Sequence, residues 1–583
     1  MMDVMQARST LTSRLLVLVI VILGLFVRTI NVNWDQNQHL HPDERFLTMV
    51  MGGMQVPHTV REYLDPELST FNPTNVGFKF FVYGTFPLVI NKFVAIALHN
   101  DNYNMLTLQG RWLSAAMDAV AVLTIILITR QFEKKYGLPR NLKYFAGLFY
   151  AIAVFPIQQA HFFTVDTFAN TFFLLSVLSA LKLDRDHFLR ASVISGIIMG
   201  LAVASKINVV LGAPLIGWLL IETFVQEAFQ HRKAMKMIIS IFIVSLFWLG
   251  SFWITLRVAE PYYFSHFSLI DWHLNTTFLG NIKQLQSFND PAGYFPPGIQ
   301  WGSKTAIIFP LVNIAFFGLG LPLFFFAVVG FGKLGFFSFR ELKTRVGLFF
   351  TLLWMVVFFS YEGIQFVLTM RYFLFLYPFF ALCAGYGLME IGKLFTRKAS
   401  LSNLNHEWLV LSCSVLCFIW PLMFMSIYLH KNSRVEASEW MYRVLPDKSV
   451  IALEHWDDPL PLQVEGANPD QKDIKGLQLP VFYPDDDVKW TEMNDILGKS
   501  DYYVLTSNRG WGSIMAAPKK YPKMSQFYKD LFDGKTEFEK IAEFTSYPGL
   551  SYLGLPITIN DDWSEEAFTV YDHPKVLIFA KKK

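Results

Sequence analysis

Charge is scarce in this sequence: Asp, Glu, Lys and Arg make up 17% of its 583 residues, where soluble globular chains carry about 25%. That argues against a water-soluble fold for most of the chain. An excess of one sign is missing too. Lys and Arg number 50 against 47 Asp and Glu, a formal charge of +3, which offers neither the basic surface that binds nucleic acid nor an acidic tail. Cysteine is nearly absent. The three present, Cys383, Cys413 and Cys417, all lie in apolar runs. The last two are one helical turn apart, where a disulfide would join nothing distant. They read as packing residues, with no redox or zinc framework. No internal repeat or low-complexity segment is visible.

Hydrophobic residues, in contrast, form 53% of the chain. Apolar runs begin near Leu15, Ala115, Tyr144, Thr167, Ala191, Asn208, Met237, Ala306, Gly347, Tyr372 and Trp408. Each approaches the roughly 20 residues that cross hydrocarbon, so about eleven helices are predicted. A further run, Phe80 to Leu98, contains Gly84, Pro87, Asn91 and Lys92 and is read as lying along the interface. With the amino terminus cytoplasmic, the basic clusters then share one side: Arg130 to Lys143; Lys182, Arg185 and Arg190; Arg232, Lys233 and Lys236; Lys333 to Arg345; Lys393 to Lys398. This satisfies the positive-inside rule. No small-x-small cleavage site follows Phe26 before Arg28, so the first run reads as a retained anchor.

The long connections Asn31 to Arg111 and Arg257 to Lys304 are thereby external. From about Lys431 the composition turns soluble. Pro446, Pro459, Pro461, Pro480 and Pro484 punctuate strand-like stretches at Ser449 to Leu453, Tyr502 to Thr506 and Val576 to Phe579. The expected organisation is an all-α polytopic membrane domain over residues 1–430 and an extracytoplasmic α/β soluble domain over 431–583. A plasma-membrane location follows.

The first external loop opens with His39, Leu40, His41, Pro42, Asp43, Glu44 and Arg45. Adjacent carboxylates beside the membrane suit a general base and a hydrogen-bonding or metal-binding partner. They equally suit a helix start, with Pro42 at the first turn and the acids favoured by the dipole. Charges near the outer span ends are informative, because a charge at the bilayer centre costs about 2.5 to 3.5 kcal/mol. Asp118 lies on the helix face of Arg111 and is expected to contact it. Asp166, after the short loop that begins at His161, suits an N-cap or a catalytic acid. Lys206 and Arg371 suit either snorkelling or a clamp on a lipid phosphate. In the second long loop, Glu260, Tyr262, Tyr263, Tyr294, Gln300, Trp301 and Lys304 mix aromatic and polar groups. Such a mixture suits sugar binding or an interfacial belt. Asp457, Asp458 and Asp485 to Asp487 read as turn and surface residues, since no glycine-rich phosphate loop accompanies them.

Taken in order, these features resemble a known family. They are Asp43 with Glu44; Tyr83, Gly84, Thr85, Phe86, Pro87; Gly110, Arg111, Trp112, Leu113, Ser114; Val165, Asp166, Thr167; Gly200 to Lys206; and Arg371 to Pro378. The set is similar to the GT-C superfamily of integral membrane glycosyltransferases, in the branch of protein O-mannosyltransferases and the aminoarabinose transferase acting on lipid A. The resemblance covers residues 10–430. It implies a polyprenyl-phosphate sugar as donor on the extracytoplasmic face and inversion at the anomeric carbon. It implies Asp43 as base, with Glu44 and Asp166 as supporting acids. The three acids also form a candidate set for a divalent metal ion. Lys206, Arg371 and Lys304 are then expected at the donor phosphate, and His41, Tyr83, His161, Tyr262, Tyr294, Gln300 and Trp301 at the substrates. Pro42 and the two histidines are not general to the superfamily, which leaves the acceptor open among protein, glycan and lipid.

Topology argues the same way. The inward connections are too short for a nucleotide-binding domain, so an external enzyme needs a lipid-delivered donor. Two rivals stand beside the transferase: a transporter or flippase of lipid-linked sugars, whose charges would line a midplane cavity, and a membrane anchor for an outer binding domain. An outer pocket joining Asp43, Asp166, Lys206 and Arg371 discriminates, because an anchor has no reason to gather four distant charges.

Overall fold

The computed structural model describes residues 2–183, 187–231, 234–398 and 406–582. Arg185, Arg232 and Lys233 of the basic clusters lie outside them. Among the described residues, nine helices are long and apolar enough to cross a membrane, or ten if the bent pair Val154–Ala160 and Val165–Leu181 is one span. About eleven were expected. Two runs make the difference: that from Tyr144 folds as two short helices, Leu142–Ala151 and Val154–Ala160, and that from Thr167 gives Val165–Leu181, whose 17 residues count as a span only with the bent partner. The break falls at Ile152 and Ala153. Pro156 has no N–H, and its ring clashes with the carbonyl four residues back, at Ile152. The next helix then turns 119° from its predecessor. Phe86–Ala97 is a helix of only 12 residues, too short to cross, in keeping with the interfacial reading.

The bundle packs through small residues. The helices Leu321–Arg340 and Tyr377–Lys398 meet backbone to backbone where Gly330 faces Cys383 and Gly387 faces Phe326. A Cβ at Gly330 would lie 1.7 Å from the Cys383 carbonyl oxygen, the close approach that small residues permit between membrane helices. At the periphery, Met235–Ala259 turns Ile238, Ile239, Phe242, Leu246 and Leu249 outward, each more than half exposed. On a membrane helix that face meets lipid, whose tails are as apolar as these side chains.

The C-terminal part is a mixed sheet of five strands: β1 (Val450–Glu454), β2 (Lys475–Leu479), β3 (Tyr502–Leu505), β4 (Phe538–Phe544) and β5 (Val576–Lys581). Their order is β2-β1-β3-β5-β4. β1 runs parallel to β2 and β3, and β5 pairs antiparallel with β3 and β4. Three strands match the predicted stretches. The strand period of two places Ala452, Tyr503 and Phe579 in one core, and Ile451, Val504 and Ile578 in another beneath the helix Ser433–Val444.

Glu454 ends β1 inside the first core. Its carboxylate accepts from the hydroxyls of Tyr503 at 2.6 Å and Tyr528 at 2.5 Å. Burial pushes this carboxyl up to about 7. A carboxyl raised on folding stabilises while protonated, and that contribution is lost as pH rises from the ordinary value through 7. Glu454→Gln, which cannot ionise, should therefore melt higher than wild type at pH 8 and level with it at pH 5. Melting curves of the purified protein at both pH values check this, and equal offsets at the two would contradict it.

Candidate active site

The helix Pro42–Gly53 sets the geometry. His41 is its N-cap, with Nδ1 accepting from the Glu44 N–H, and Pro42 opens the first turn. Burial pushes the His41 imidazole down to about 3, so the ring stays neutral. Successive helical residues point about 100° apart, so the adjacent acids diverge. Glu44 turns inward and is fully buried. It accepts from Arg111 Nε at 2.9 Å, Arg111 Nη2 at 2.5 Å and the Phe163 N–H at 2.7 Å. Arg111 also takes both oxygens of Asp35, at 3.0 and 2.8 Å. Asp118 is not its partner. That acid pairs with Arg28 at 2.5 Å and Tyr150 at 2.5 Å. The expected Arg111–Asp118 contact fails because seven helical residues span about 10 Å of rise.

Asp43 points the other way, its side chain 29% exposed. Its carboxylate pairs with Arg371 Nη1, and the Tyr83 side chain faces it. Burial alone would raise the Asp43 carboxyl. The Arg371 guanidinium, together with His41 and a hydrogen bond from Tyr83, outweighs burial and holds it below the ordinary value, so Asp43 is ionised across the neutral range.

Arg371 lies in the 3₁₀ turn Met370–Leu376. Its Nε and Nη2 reach Asp166 Oδ2 at 2.9 and 2.7 Å. Asp166 Oδ1 in turn meets Lys206 Nζ at 2.5 Å. Four residues from four elements thus form one ion-pair chain, Asp43, Arg371, Asp166, Lys206. Thr164, not Asp166, holds the N-cap position of Val165–Leu181. Lys206 and Arg371, only 16% and 20% exposed, are paired instead of snorkelling. Tyr83 is brought in by Gly84, whose N–H bonds the Ser205 carbonyl at 3.2 Å. A Cβ there would lie 1.9 Å from the Ala204 carbonyl oxygen. Only glycine lets that segment dock beside the end of the helix Phe188–Ser205, which Lys206 follows.

Asp43 and Arg371 line a cavity of about 400 Å³ that opens to solvent. Its other walls come from the second long loop (Phe288, Phe295, Gln300, Trp301) and from the C-terminal domain (Trp456, Arg509, Glu565, Glu566, Tyr571). His41 and Tyr83 also line it. The remaining expected site residues lie elsewhere. His161 stacks on Tyr428 at 3.7 Å and bonds two backbone carbonyls. The Tyr262 hydroxyl meets Ser69 at 2.9 Å. Tyr294 lies under Lys520, and Lys304 lies over Phe309. The lining residues of the C-terminal domain went unrecognised in the sequence, where nothing marks them. Asp457 and Asp458 are not surface residues. They accept from Arg434 at 2.6 and 3.1 Å, and Asp458 also pairs with Arg45 at 2.7 Å, tying the domain to the helix that carries Asp43.

As a metal set, Asp43, Glu44 and Asp166 do not fit. Glu44 faces Arg111, and the two remaining carboxylates are bridged by a guanidinium. Among the described residues no group of three or more His, Cys, Asp or Glu is placed to hold a metal ion.

A family comparison bears on the segment from Phe86–Ala97 through the helix Met235–Ala259. Residues 95–249 match the model for dolichyl-phosphate-mannose-protein mannosyltransferase. That segment carries Arg111, Asp166 and Lys206, three of the positions on which the GT-C resemblance rests. No curated protein matches the chain. Similar solved structures include the Archaeoglobus fulgidus oligosaccharyltransferase in complex with zinc and sulfate. It has 12% identity and TM-score 0.49, over 97% of this chain and 88% of that one. ArnT from Cupriavidus metallidurans, bound to undecaprenyl phosphate, has 13% identity and TM-score 0.41 over 97% of each chain.

Proposed function

We propose that this protein transfers a sugar from a polyprenyl-phosphate donor to an acceptor hydroxyl at the outer face of the membrane, with inversion. The carrying observation is the ion-pair chain Asp43, Arg371, Asp166, Lys206, which presents Asp43 and Arg371 to the cavity while Asp166 and Lys206 hold the guanidinium from behind. The match to the dolichyl-phosphate-mannose-protein mannosyltransferase model supports the donor class. The one-sided basic clusters support an outward site and an outward C-terminal domain, with residues 1–430 as the membrane unit and 431–583 as the soluble one.

The chemistry is a single displacement. The acceptor oxygen attacks the anomeric carbon, its proton passes to Asp43, and the bond from that carbon to the donor phosphate oxygen breaks, leaving lipid phosphate. Before the donor binds, the two acids balance the two cations. A phosphate arriving at Arg371 competes with Asp43 for the guanidinium, so donor binding frees the base where the acceptor needs it. Lys206 holds Asp166, and through it the orientation of Arg371, so the cation stays aimed at the developing charge on the leaving group. Glu44 stays outside this chemistry and supports the helix of Asp43 from within.

The test is transfer from a panel of radiolabelled polyprenyl-phosphate sugars by purified protein in lipid, with cell-envelope acceptors supplied. Label moving to an acceptor is expected for one donor. Intact donor crossing the bilayer with no transfer would instead establish a transporter.

A further inference from the structure

The Arg371 turn is gripped by the C-terminal domain. Glu565, 1% exposed on the cavity wall, accepts from the Met370 N–H at 2.7 Å and from the Thr369 hydroxyl at 2.8 Å. The same Thr369 oxygen accepts from the Arg371 N–H at 3.3 Å. The Glu565 N–H is itself fixed on Asn313 at 2.7 Å. The carboxylate therefore closes the N-terminal end of the turn, where its first N–H groups have no helical partner.

We propose that Glu565 is a positioning residue, holding the Met370–Leu376 turn in the one register that lets the Arg371 guanidinium span Asp43 and Asp166. The inference rests on the reading that Arg371 meets the donor phosphate. It makes the C-terminal domain part of the reaction centre and not an appended acceptor module. Two acceptor oxygens are required, because two donors converge on the carboxylate. Protonation removes that capacity: a carboxylic acid donates through its hydroxyl and turns the Thr369 bond around.

The titratable groups around Glu565 are Glu566, which Arg509 neutralises at 2.7 Å, on the side of the C-terminal domain, and Tyr377 on the side of the bundle. Burial, helped by Glu566, pushes the Glu565 carboxyl up to about 7. Transfer by wild type should then fall as pH drops through 7. Glu565→Gln, locked in the proton-bound hydrogen-bond pattern, should lose that limb and stay at the wild-type acid plateau. Glu565→Ala should lower kcat/KM for the donor by about 10- to 100-fold, as small displacements of a reacting group do.

The experiment uses the full chain in lipid. It measures donor kcat and KM from pH 5.5 to 8.5 for wild type, Glu565→Gln and Glu565→Ala, with a structure of each folded variant. A flattened acid limb in the glutamine variant, and an Arg371 guanidinium displaced from Asp43 and Asp166 in the alanine variant, are expected. An unmoved guanidinium, or an unchanged pH profile in a folded Glu565→Gln protein, would overturn the inference. Should the alanine variant not fold, the glutamine profile decides. Arg371→Ala is the control for the underlying reading. If it transfers sugar normally, the phosphate role of Arg371 fails, while the position of the guanidinium in the Glu565 variants still decides the role of Glu565.

Discussion

Asp43→Asn should lower sugar transfer by about 10²- to 10⁴-fold, the usual worth of a general base, while the protein still folds and binds donor. Asparagine keeps the shape and an oxygen toward Arg371 but takes no proton. The other acids of the cavity wall are engaged: Glu565 by the Thr369 hydroxyl and the Met370 N–H, Glu566 by Arg509. Glu44, the adjacent acid, is enclosed by Arg111 and the Phe163 N–H, and Asp166 is held between Arg371 and Lys206. Because Arg371 holds the Asp43 carboxyl below its ordinary value, ionisation of Asp43 should impose no pH limb between 6 and 8 on wild-type transfer. Initial rates at saturating donor, at matched protein levels, measure the effect. Wild-type turnover in folded Asp43→Asn would remove Asp43 from the reaction.

Arg111→Ala should have the largest effect on folding. The guanidinium is fully buried between Asp35 and Glu44, both themselves buried, and it lies 4.8 Å from the Trp34 ring. Its removal leaves two carboxylates in the interior with no cation. Breaking a buried ion pair by deleting one partner costs about 3–5 kcal/mol, a large share of the roughly 5–15 kcal/mol that holds a folded protein together. Arg111→Lys should rescue little, since one ammonium cannot reproduce the planar fork that engages both acids and the Val32 carbonyl. The yield of monodisperse protein after extraction, and its melting temperature, provide the readout. A normal yield of Arg111→Ala would show that Asp35 and Glu44 find other partners.

The two variants separate what looked like one feature of the sequence. Asp43 and Glu44 are neighbours in the chain, and composition treats them alike. Helical geometry sends one into the cavity and the other into the core, so one should fail in chemistry and the partner of the other in folding. The pairing of Arg111 shows the same limit. Helix periodicity rightly put Asp118 on its face, yet the partners are Asp35 and Glu44, 76 and 67 positions away. Periodicity reports which side of a helix a residue faces and not which distant segment arrives there.

The sequence by itself determined that this is a helical membrane protein with a mixed C-terminal domain. Hydrocarbon demands long apolar runs whose backbone groups bond within the helix, and that demand is written residue by residue. The ordered motifs likewise singled out Asp43, Asp166, Lys206 and Arg371 as candidate site residues. Only the tertiary structure decided that they partner one another. It also decided that Pro156 divides a run and lowers the helix count, and that Trp456, Arg509 and Glu565 of the C-terminal domain complete the cavity wall. Those outcomes depend on contacts between segments up to several hundred residues apart. Nothing local marks such contacts, because a buried ion pair or a capped turn is satisfied by whichever group the packed fold delivers.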